Sequence, residues 1–105
     1  MKVEFLWFDD CPNHEAAREL LHSVLAELGI QAMVEDVNVS DPSQADRLRF
    51  PGSPTIRVNG HDIEPDFHDP GDYTPRCRIY FTGSGMSGVP ERAWIEEALI
   101  VVRDE

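Results

Sequence analysis

The stretch GSPTIRVNGHDI, from Gly52 to Ile63, constrains the fold more than any other part of the chain. TIRV and HDI each have the apolar and β-branched character of a short strand. The Asn59–Gly60 pair between them is the dipeptide most typical of a two-residue hairpin turn. We therefore predict two antiparallel strands joined at this turn, with the GSPT segment, Gly52 to Thr55, leading into the first of them.

The N-terminal third of the chain predicts a strand followed by a helix. KVEFLWF, residues 2–8, is short, aromatic and β-branched, as expected of a buried strand. Between Ala17 and Leu28 apolar residues recur at the spacing of one helix face, and Gly29 is placed to end that helix. Pro12 suits the first helical position, so we expect Cys11 to be the N-cap.

The rest of the chain alternates in the same way. QAMVEDVNV predicts a second strand, and SDPSQADRLRF predicts a short helix that Asp41 caps, Pro42 opens and Gln44 completes as a capping box. Residues 64–76 are predicted to form a polar loop. CRIYF is predicted to form a further strand, and TGSGMSG is predicted to form a loop. Pro90 is expected to open a final helix with one apolar face, formed by Trp94, Ile95, Ala98, Leu99 and Val102.

This order of elements predicts an α/β fold. The strand–helix–strand start requires a right-handed crossover and parallel pairing, whereas the Asn-Gly hairpin is antiparallel. We expect a central mixed sheet of about four strands with helices on both faces. The 105 residues are enough for one modest core, so we predict a single domain, 1–105.

The composition excludes some classes of partner. The formal charge of −11, from 20 acidic and 9 basic residues, disfavours binding to nucleic acid or to an anionic membrane surface. Apolar runs are too short for a membrane span or a signal-peptide core. Two cysteines 66 positions apart, Cys11 and Cys77, fit an intracellular protein better than a secreted disulfide scaffold, so we expect a cytoplasmic protein.

Cys11, between the first strand and the first helix, and the downstream GSPT segment together resemble the thioredoxin-like superfamily. The resemblance covers residues 3–64 well and the last helix loosely, and GSPTIRVNGHDI is most similar to glutaredoxin and its small relatives. It implies that Cys11 is the nucleophile and that the Ser53–Pro54 bond is cis, with the proline opposite the sulfur. It also implies that substrate contacts Pro12, Ser53, Pro54 and Thr55, with Ser53 offering its backbone, and it implies no cofactor.

The chain departs from a C-x-x-C redox motif at His14, which replaces the second cysteine. A helix N-terminus stabilises a thiolate, whereas Asp9 and Asp10 oppose a further negative charge. We predict that His14 tunes Cys11, as an imidazolium beside the thiolate or as a proton shuttle. The alternative is that His14 only points to water. We expect Cys11 to be exposed and to alkylate much faster than Cys77.

Cys77 lies in RCRIYF, where alternation places Cys77, Ile79 and Phe81 on one face of a strand. We predict that this face is buried and that Cys77 is part of the core. The flanking arginines, Arg76 and Arg78, lower the pKa of the thiol if it is accessible. Cys77 would then be a third member of the catalytic group with Cys11 and His14.

Three functions remain open. The first is a thiol–disulfide oxidoreductase acting on a small thiol or a protein disulfide, with Cys11 resolved by glutathione or mycothiol, or by Cys77. The second, from a weaker resemblance to mercury-associated thioredoxin-like proteins, is soft-metal binding by Cys11 and Cys77, with Asp9 or Asp10 protonating a leaving carbon. The third is a redox-inactive module that binds peptides.

Two further motifs predict no site of their own. The Gly83-x-Gly85-x-x-Gly88 pattern has the surface form of a dinucleotide fingerprint, but no second strand follows its helix. We expect an ordinary loop near the cysteine, able to hold a ligand carboxylate with its backbone N–H groups. The four histidines make no zinc-binding spacing with the cysteines, so we expect no first-row metal site.

Overall fold

The computed structural model describes all 105 residues and contains six strands and three helices. In chain order the elements are β1 (Lys2–Trp7), α1 (His14–Leu28), β2 (Met33–Asn38), α2 (Pro42–Leu48), β3 (Thr55–Val58), β4 (His61–Asp62), β5 (Tyr80–Thr82), β6 (Gly85–Ser87) and α3 (Arg92–Arg103). None of the three helices has both the length and the apolar character needed to cross a membrane.

The first four strands form one mixed sheet in the order β2-β1-β3-β4. β1 pairs with β2 in parallel and with β3 antiparallel, and β3 pairs with β4 antiparallel. β5 and β6 form a separate antiparallel pair. The predicted mixed sheet of four strands is therefore confirmed, with β1 at its centre next to the loop that carries Cys11.

Helices cover both faces of this sheet because neighbouring side chains of β1 point in opposite directions. Val3 and Phe5 pack in the larger core with residues of α1 and α3. Leu6 points to the other face and packs with Ala45 of α2 and with Phe50. All five side chains are fully buried, so β1 is held on both faces and its C-terminal end is a rigid base for the following loop.

The local signals for turns and caps act as predicted. Gly29 ends α1 in the left-handed conformation, with φ of 65°. Asp41 caps α2 by accepting a 2.8 Å hydrogen bond from the Gln44 backbone N–H. Asn59 and Gly60 both have positive φ, 49° and 84°, as the predicted two-residue hairpin turn requires.

The start of α1 differs from the prediction. The helix begins at His14 with Asn13 as its N-cap, so Cys11 is not the cap. Residues 8–11 form a turn, in which the Cys11 N–H donates to the Phe8 carbonyl at 3.1 Å. Because this turn precedes α1, Cys11 lies three residues before His14, and it is Asn13 rather than Cys11 that precedes the first helical N–H groups.

The CRIYF segment also differs from the prediction, because the face expected to be buried is exposed and the opposite face is buried. Arg78 and Tyr80 are buried, whereas Ile79 and Phe81 are 58% and 72% exposed. The regular strand covers only Tyr80–Thr82, and TGSGMSG is not a loop but supplies β6 of a hairpin. The last helix begins at Arg92 rather than at Pro90, and its apolar face packs on the core as predicted.

The exchange of faces has a chemical cause. The Arg78 guanidinium is paired with two carboxylates inside the protein, and a paired, hydrogen-bonded charge can be buried where an unpaired one cannot. The Tyr80 hydroxyl donates to the Pro54 carbonyl, which satisfies its polar atom. Apolarity alone therefore predicts the wrong inner face for this segment.

Candidate functional site

The site is built around Cys11 and the peptide bond that precedes Pro54. The Cys11 side chain is fully buried, contrary to the exposure we expected, because the turn after β1 folds it inward. Its Sγ donates to the Ser53 carbonyl oxygen at 3.3 Å. The Ser53–Pro54 bond is cis, as predicted. The segment before β3 therefore lies against the sulfur.

Ser53 is hydrogen-bonded on all sides by its own chain. Its N–H donates to the Arg76 carbonyl at 2.7 Å, and its carbonyl accepts from the Arg78 N–H at 2.8 Å. Its hydroxyl accepts from the Phe8 N–H at 3.0 Å. These bonds form a parallel bridge between Ser53 and Cys77. Residues 76–78 thus occupy the backbone edge that we had assigned to an extended substrate.

This bridge brings the two cysteines together although 66 positions separate them in the sequence. Both thiols are free; Cys11 is buried and Cys77 is exposed, the reverse of the expected order of accessibility. Hydrogen bonding to Cys11 is the largest cause of a raised pKa at Cys77; partial burial, the charge of Cys11 and that of Asp10 raise it further. The two thiols therefore form one interacting pair.

Arg78 anchors the Cys77 segment to the sheet. Its guanidinium donates to Asp62 at 2.7 and 3.0 Å, to Glu64 at 3.0 Å and to the Thr55 hydroxyl at 3.0 Å. Burial opposes the charge, but the bonds to Asp62 and Glu64 outweigh it and the pKa of Arg78 is raised. Thr55 in turn donates to the Gly52 carbonyl at 2.5 Å. The arginine ties residues 76–78 to both strands of the predicted hairpin.

Two glycines allow the close contacts around the pair. Gly52 has φ of +134°, and a Cβ there would lie 2.8 Å from the Arg78 Cβ and 3.2 Å from its Cα. A Cβ at Gly88 would lie 2.0 Å from the Asn13 side-chain nitrogen. The glycine-rich hairpin after the Cys77 segment therefore lies against Asn13, which caps α1 and follows Cys11 by two positions.

His14 contacts other groups than the sulfurs. Its ring stacks on Trp7, with 4.5 Å between ring centroids and 27° between ring planes, and its Nδ1 lies 3.4 Å from a Glu15 oxygen. Neither ring nitrogen is hydrogen-bonded to a cysteine. The contacts of His14 thus support a packing role at the start of α1, and the predicted tuning role remains a prediction.

Trp7 itself belongs to a surface cluster with Arg18 and Asp36. Its indole N–H donates to Asp36 at 2.6 Å, and Arg18 donates to Asp36 at 2.7 Å while its guanidinium lies over the Trp7 ring. Burial raises the pKa of Asp36, but the bonds from Arg18 and Trp7 outweigh it and leave the pKa lowered. These contacts fix the indole against which His14 packs.

The remaining predicted residues divide into exposed and buried ones. Pro12 is exposed beside the pair, whereas Pro54 and Thr55 are buried and take part in internal hydrogen bonds. Asp9 accepts from the Asn38 amide at 3.1 Å, and Asp10 is exposed and acts on the Cys77 thiol through its charge. No group of three or more His, Cys, Asp or Glu side chains is arranged to hold a metal ion.

Sequence reasoning missed the residues that hold the pair together. Asp62 and Glu64 were assigned only to a hairpin and a loop, and Arg78 and Tyr80 to the outer face of a strand. A usable signal exists, since Asp62 and Glu64 are two residues apart and so face the same side of an extended chain. If that side is buried, the two carboxylates need a nearby cation, and Arg78 alternates with Cys77, which is exposed.

The largest groove of the molecule is separate from this site. It has a volume of about 400 Å³ and lies between the β3–β4 hairpin and α3, with Trp94 and Val101 among its walls. Neither cysteine lines it. The thiol pair is therefore open to solvent on the Cys77 side rather than enclosed in a pocket.

No protein-family model matches the chain, and neither the curated proteins nor the solved structures contain a match to it. A functional proposal therefore depends on the two thiols and on the groups that position them.

Proposed function

We propose that the protein is a thioredoxin-like thiol–disulfide oxidoreductase that uses Cys11 and Cys77 as one redox pair. The observation that carries the proposal is the parallel bridge between Ser53 and Cys77, which places Cys77 beside the residue whose carbonyl accepts from the Cys11 Sγ. A raised pKa at Cys77, caused first by hydrogen bonding to Cys11, agrees with this arrangement. The position of Cys11 after β1 and the GSPT segment against its sulfur support the thioredoxin-like assignment. Of the alternatives that the sequence leaves open, this one pairs Cys11 with Cys77, in place of a second cysteine at position 14.

The difference in exposure between the two thiols implies that Cys77 reacts with the substrate first and Cys11 second. An outside disulfide reaches Cys77, whose thiolate attacks one sulfur and releases the other as a thiol. The buried Cys11 then attacks the Cys77 sulfur of this mixed disulfide. A Cys11–Cys77 disulfide forms, the second thiol leaves, and the protein has lost two electrons and two protons to the substrate.

The reverse reaction follows the same path. An outside thiolate attacks the exposed Cys77 sulfur of the oxidised pair, and Cys11 leaves as the thiolate. A second outside thiol then releases Cys77 and completes the oxidation of the substrate. In both directions the covalent intermediate is on Cys77, while Cys11 remains behind the segment that it contacts.

The raised pKa of Cys77 sets the pH dependence of the first step. At neutral pH a thiol with a pKa above its ordinary value is almost entirely protonated, and only the thiolate attacks. The reductive reaction should therefore accelerate as the pH rises through the pKa of Cys77. Attack by an outside thiol on the oxidised pair does not require that ionisation.

A soft-metal function is the second candidate, because the same two thiols also form a ligand pair for a thiophilic ion such as Hg²⁺. Asp10, whose charge acts on Cys77, is the acid that would act on such an ion. The third alternative, a peptide-binding module, receives less support. Its backbone edge at Ser53 is already paired with residues 76–78.

Trapping of the intermediate tests the proposal. Treatment with hydroxyethyl disulfide should leave a stable mixed disulfide on Cys77 in a Cys11→Ser variant, detected by intact mass and peptide mapping. A Cys77→Ser variant should remain unmodified, because Cys11 is buried. An adduct on Cys11 in the second variant would contradict the assigned order. Stoichiometric Hg²⁺ binding without any disulfide formation would favour the metal function instead.

A further inference from the structure

The exposed side of the Cys77 segment continues into an apolar surface. Ile79, Phe81 and Met86 are 58%, 72% and 73% exposed, and Phe81 and Met86 are direct cross-strand partners in the β5–β6 hairpin. Cys77, Ile79 and Phe81 alternate outward while Arg78 and Tyr80 point inward. We call the surface formed by Cys77, Ile79, Phe81 and Met86 the outer face.

The outer face has no free positive charge next to its sulfur. Arg76 lies 3.6 Å from Asp72 in an ion pair, and Arg78 is buried against Asp62. Asp10, by contrast, is exposed and its charge acts on Cys77, in a chain of net charge −11. The unpaired charge that acts on the reacting sulfur is therefore negative, which disfavours an anionic disulfide and favours a cationic one.

We propose that the outer face binds substrates in which the reacting sulfur adjoins an apolar group that is uncharged or positively charged. This inference rests on the proposed function and names its substrate class. The apolar group packs on Phe81 and Met86 while the disulfide lies over Cys77. The chemistry is unchanged: Cys77 attacks one sulfur, the other leaves as a thiol, and Cys11 displaces the first. Glutathione disulfide, polar and anionic, is a poor fit.

Two aromatic disulfides, one neutral and one anionic, test this class of substrate. Stopped-flow absorbance measures the reaction rates of the folded protein with dithiodipyridine, which is neutral, and with dithiobis(nitrobenzoate), which is dianionic. Each rate is divided by the rate of the same probe with the chain unfolded in urea. We expect the neutral probe to be favoured about tenfold over the anionic one in the folded protein. A Phe81→Ser, Met86→Gln double variant should react several-fold more slowly with the neutral probe.

Met33→Gln is the matched control. Met33 is 71% exposed but belongs to β2 in the other sheet, so its replacement should leave both rates unchanged. Equal normalised rates for the two probes, or an unchanged rate in the double variant, would overturn the proposed substrate preference of the outer face. The proposed redox function would still stand. Failure of every probe to produce a Cys11–Cys77 disulfide would instead contradict that function. Concentration-dependent dimerisation that the double variant abolishes would show that a second copy covers the outer face.

Discussion

Replacement of Arg78 by alanine removes the cation that anchors the Cys77 segment. The side chains of Arg78 and Asp62 are 7% and 3% exposed, and two hydrogen bonds of 2.7 and 3.0 Å join them. Alanine leaves the Asp62 carboxylate buried without its counter-charge. Glu64 is about a quarter exposed and can turn toward water, so most of the cost arises at Asp62.

The expected loss is large for a domain of this size. Removal of one partner from a buried ion pair costs about 3–5 kcal/mol in the free energy of unfolding. A natural domain has about 5–15 kcal/mol in total. With a urea dependence of about 1–3 kcal/mol per molar, the unfolding midpoint should fall by roughly 2 M. The pKa of Cys77 should also fall toward its ordinary value, because its segment no longer holds it beside Cys11.

Urea unfolding followed by circular dichroism measures the first effect, and the pH dependence of iodoacetamide alkylation measures the second. Arg49→Ala is the control, because Arg49 pairs with Asp69 on the surface and such pairs contribute little. An Arg78→Met, Asp62→Leu double variant should recover much of the stability, since no buried charge is left unpaired. A loss for Arg78→Ala no greater than that for Arg49→Ala would refute the anchoring role.

Three further outcomes follow from the same contacts. The alkylation rate of Cys77 should rise with pH through a pKa above the ordinary value of a thiol. Cys11→Ser should shift this titration to lower pH, because hydrogen bonding to Cys11 is the largest cause of the raised pKa. An unshifted titration in mass-resolved alkylation would contradict the coupling between the two thiols. Gly52→Ala should cost more than about 2 kcal/mol in urea unfolding, whereas Gly60→Ala, with positive φ but open space around it, should cost less. His14→Ala should leave the Cys77 titration unchanged, since the His14 ring packs on the Trp7 indole. A shift of that titration would show that His14 acts on the thiol pair, as the tuning role predicted for Cys11 implies.

The sheet, the hairpin turn, the end of α1 and the start of α2 could be predicted from the sequence because they depend on local chemistry. The Asn59–Gly60 turn, the Asp41 cap and Gly29 each act through hydrogen bonds or φ values within a few residues. The register between Ser53 and Cys77 could not be predicted in this way. It depends on a buried ion pair between Arg78 and Asp62, and hydrophobic alternation assigns no inner position to an arginine.

The same limit explains the exchange of roles between the two cysteines. The sequence places Cys11 near a helix start, which suggests exposure, and Cys77 on an apolar strand face, which suggests burial. Both expectations were wrong because the contact of Cys11 with the Ser53 carbonyl and the ion pair of Arg78 with Asp62 join residues far apart in the sequence. The sequence does not predict whether the two cysteines lie together, because their distance depends on how segments far apart in the chain pair in the fold.

Mapping of the disulfide in the oxidised wild-type chain tests the central claim most directly. After equilibration with oxidised and reduced dithiothreitol at a series of ratios, intact mass should show a loss of two hydrogens, and digestion should yield one cross-linked peptide containing Cys11 and Cys77. The fraction oxidised should follow a single two-electron transition. A chain that remains fully reduced at every ratio, or that forms disulfides only between molecules, would contradict the claim that the two thiols are one redox pair.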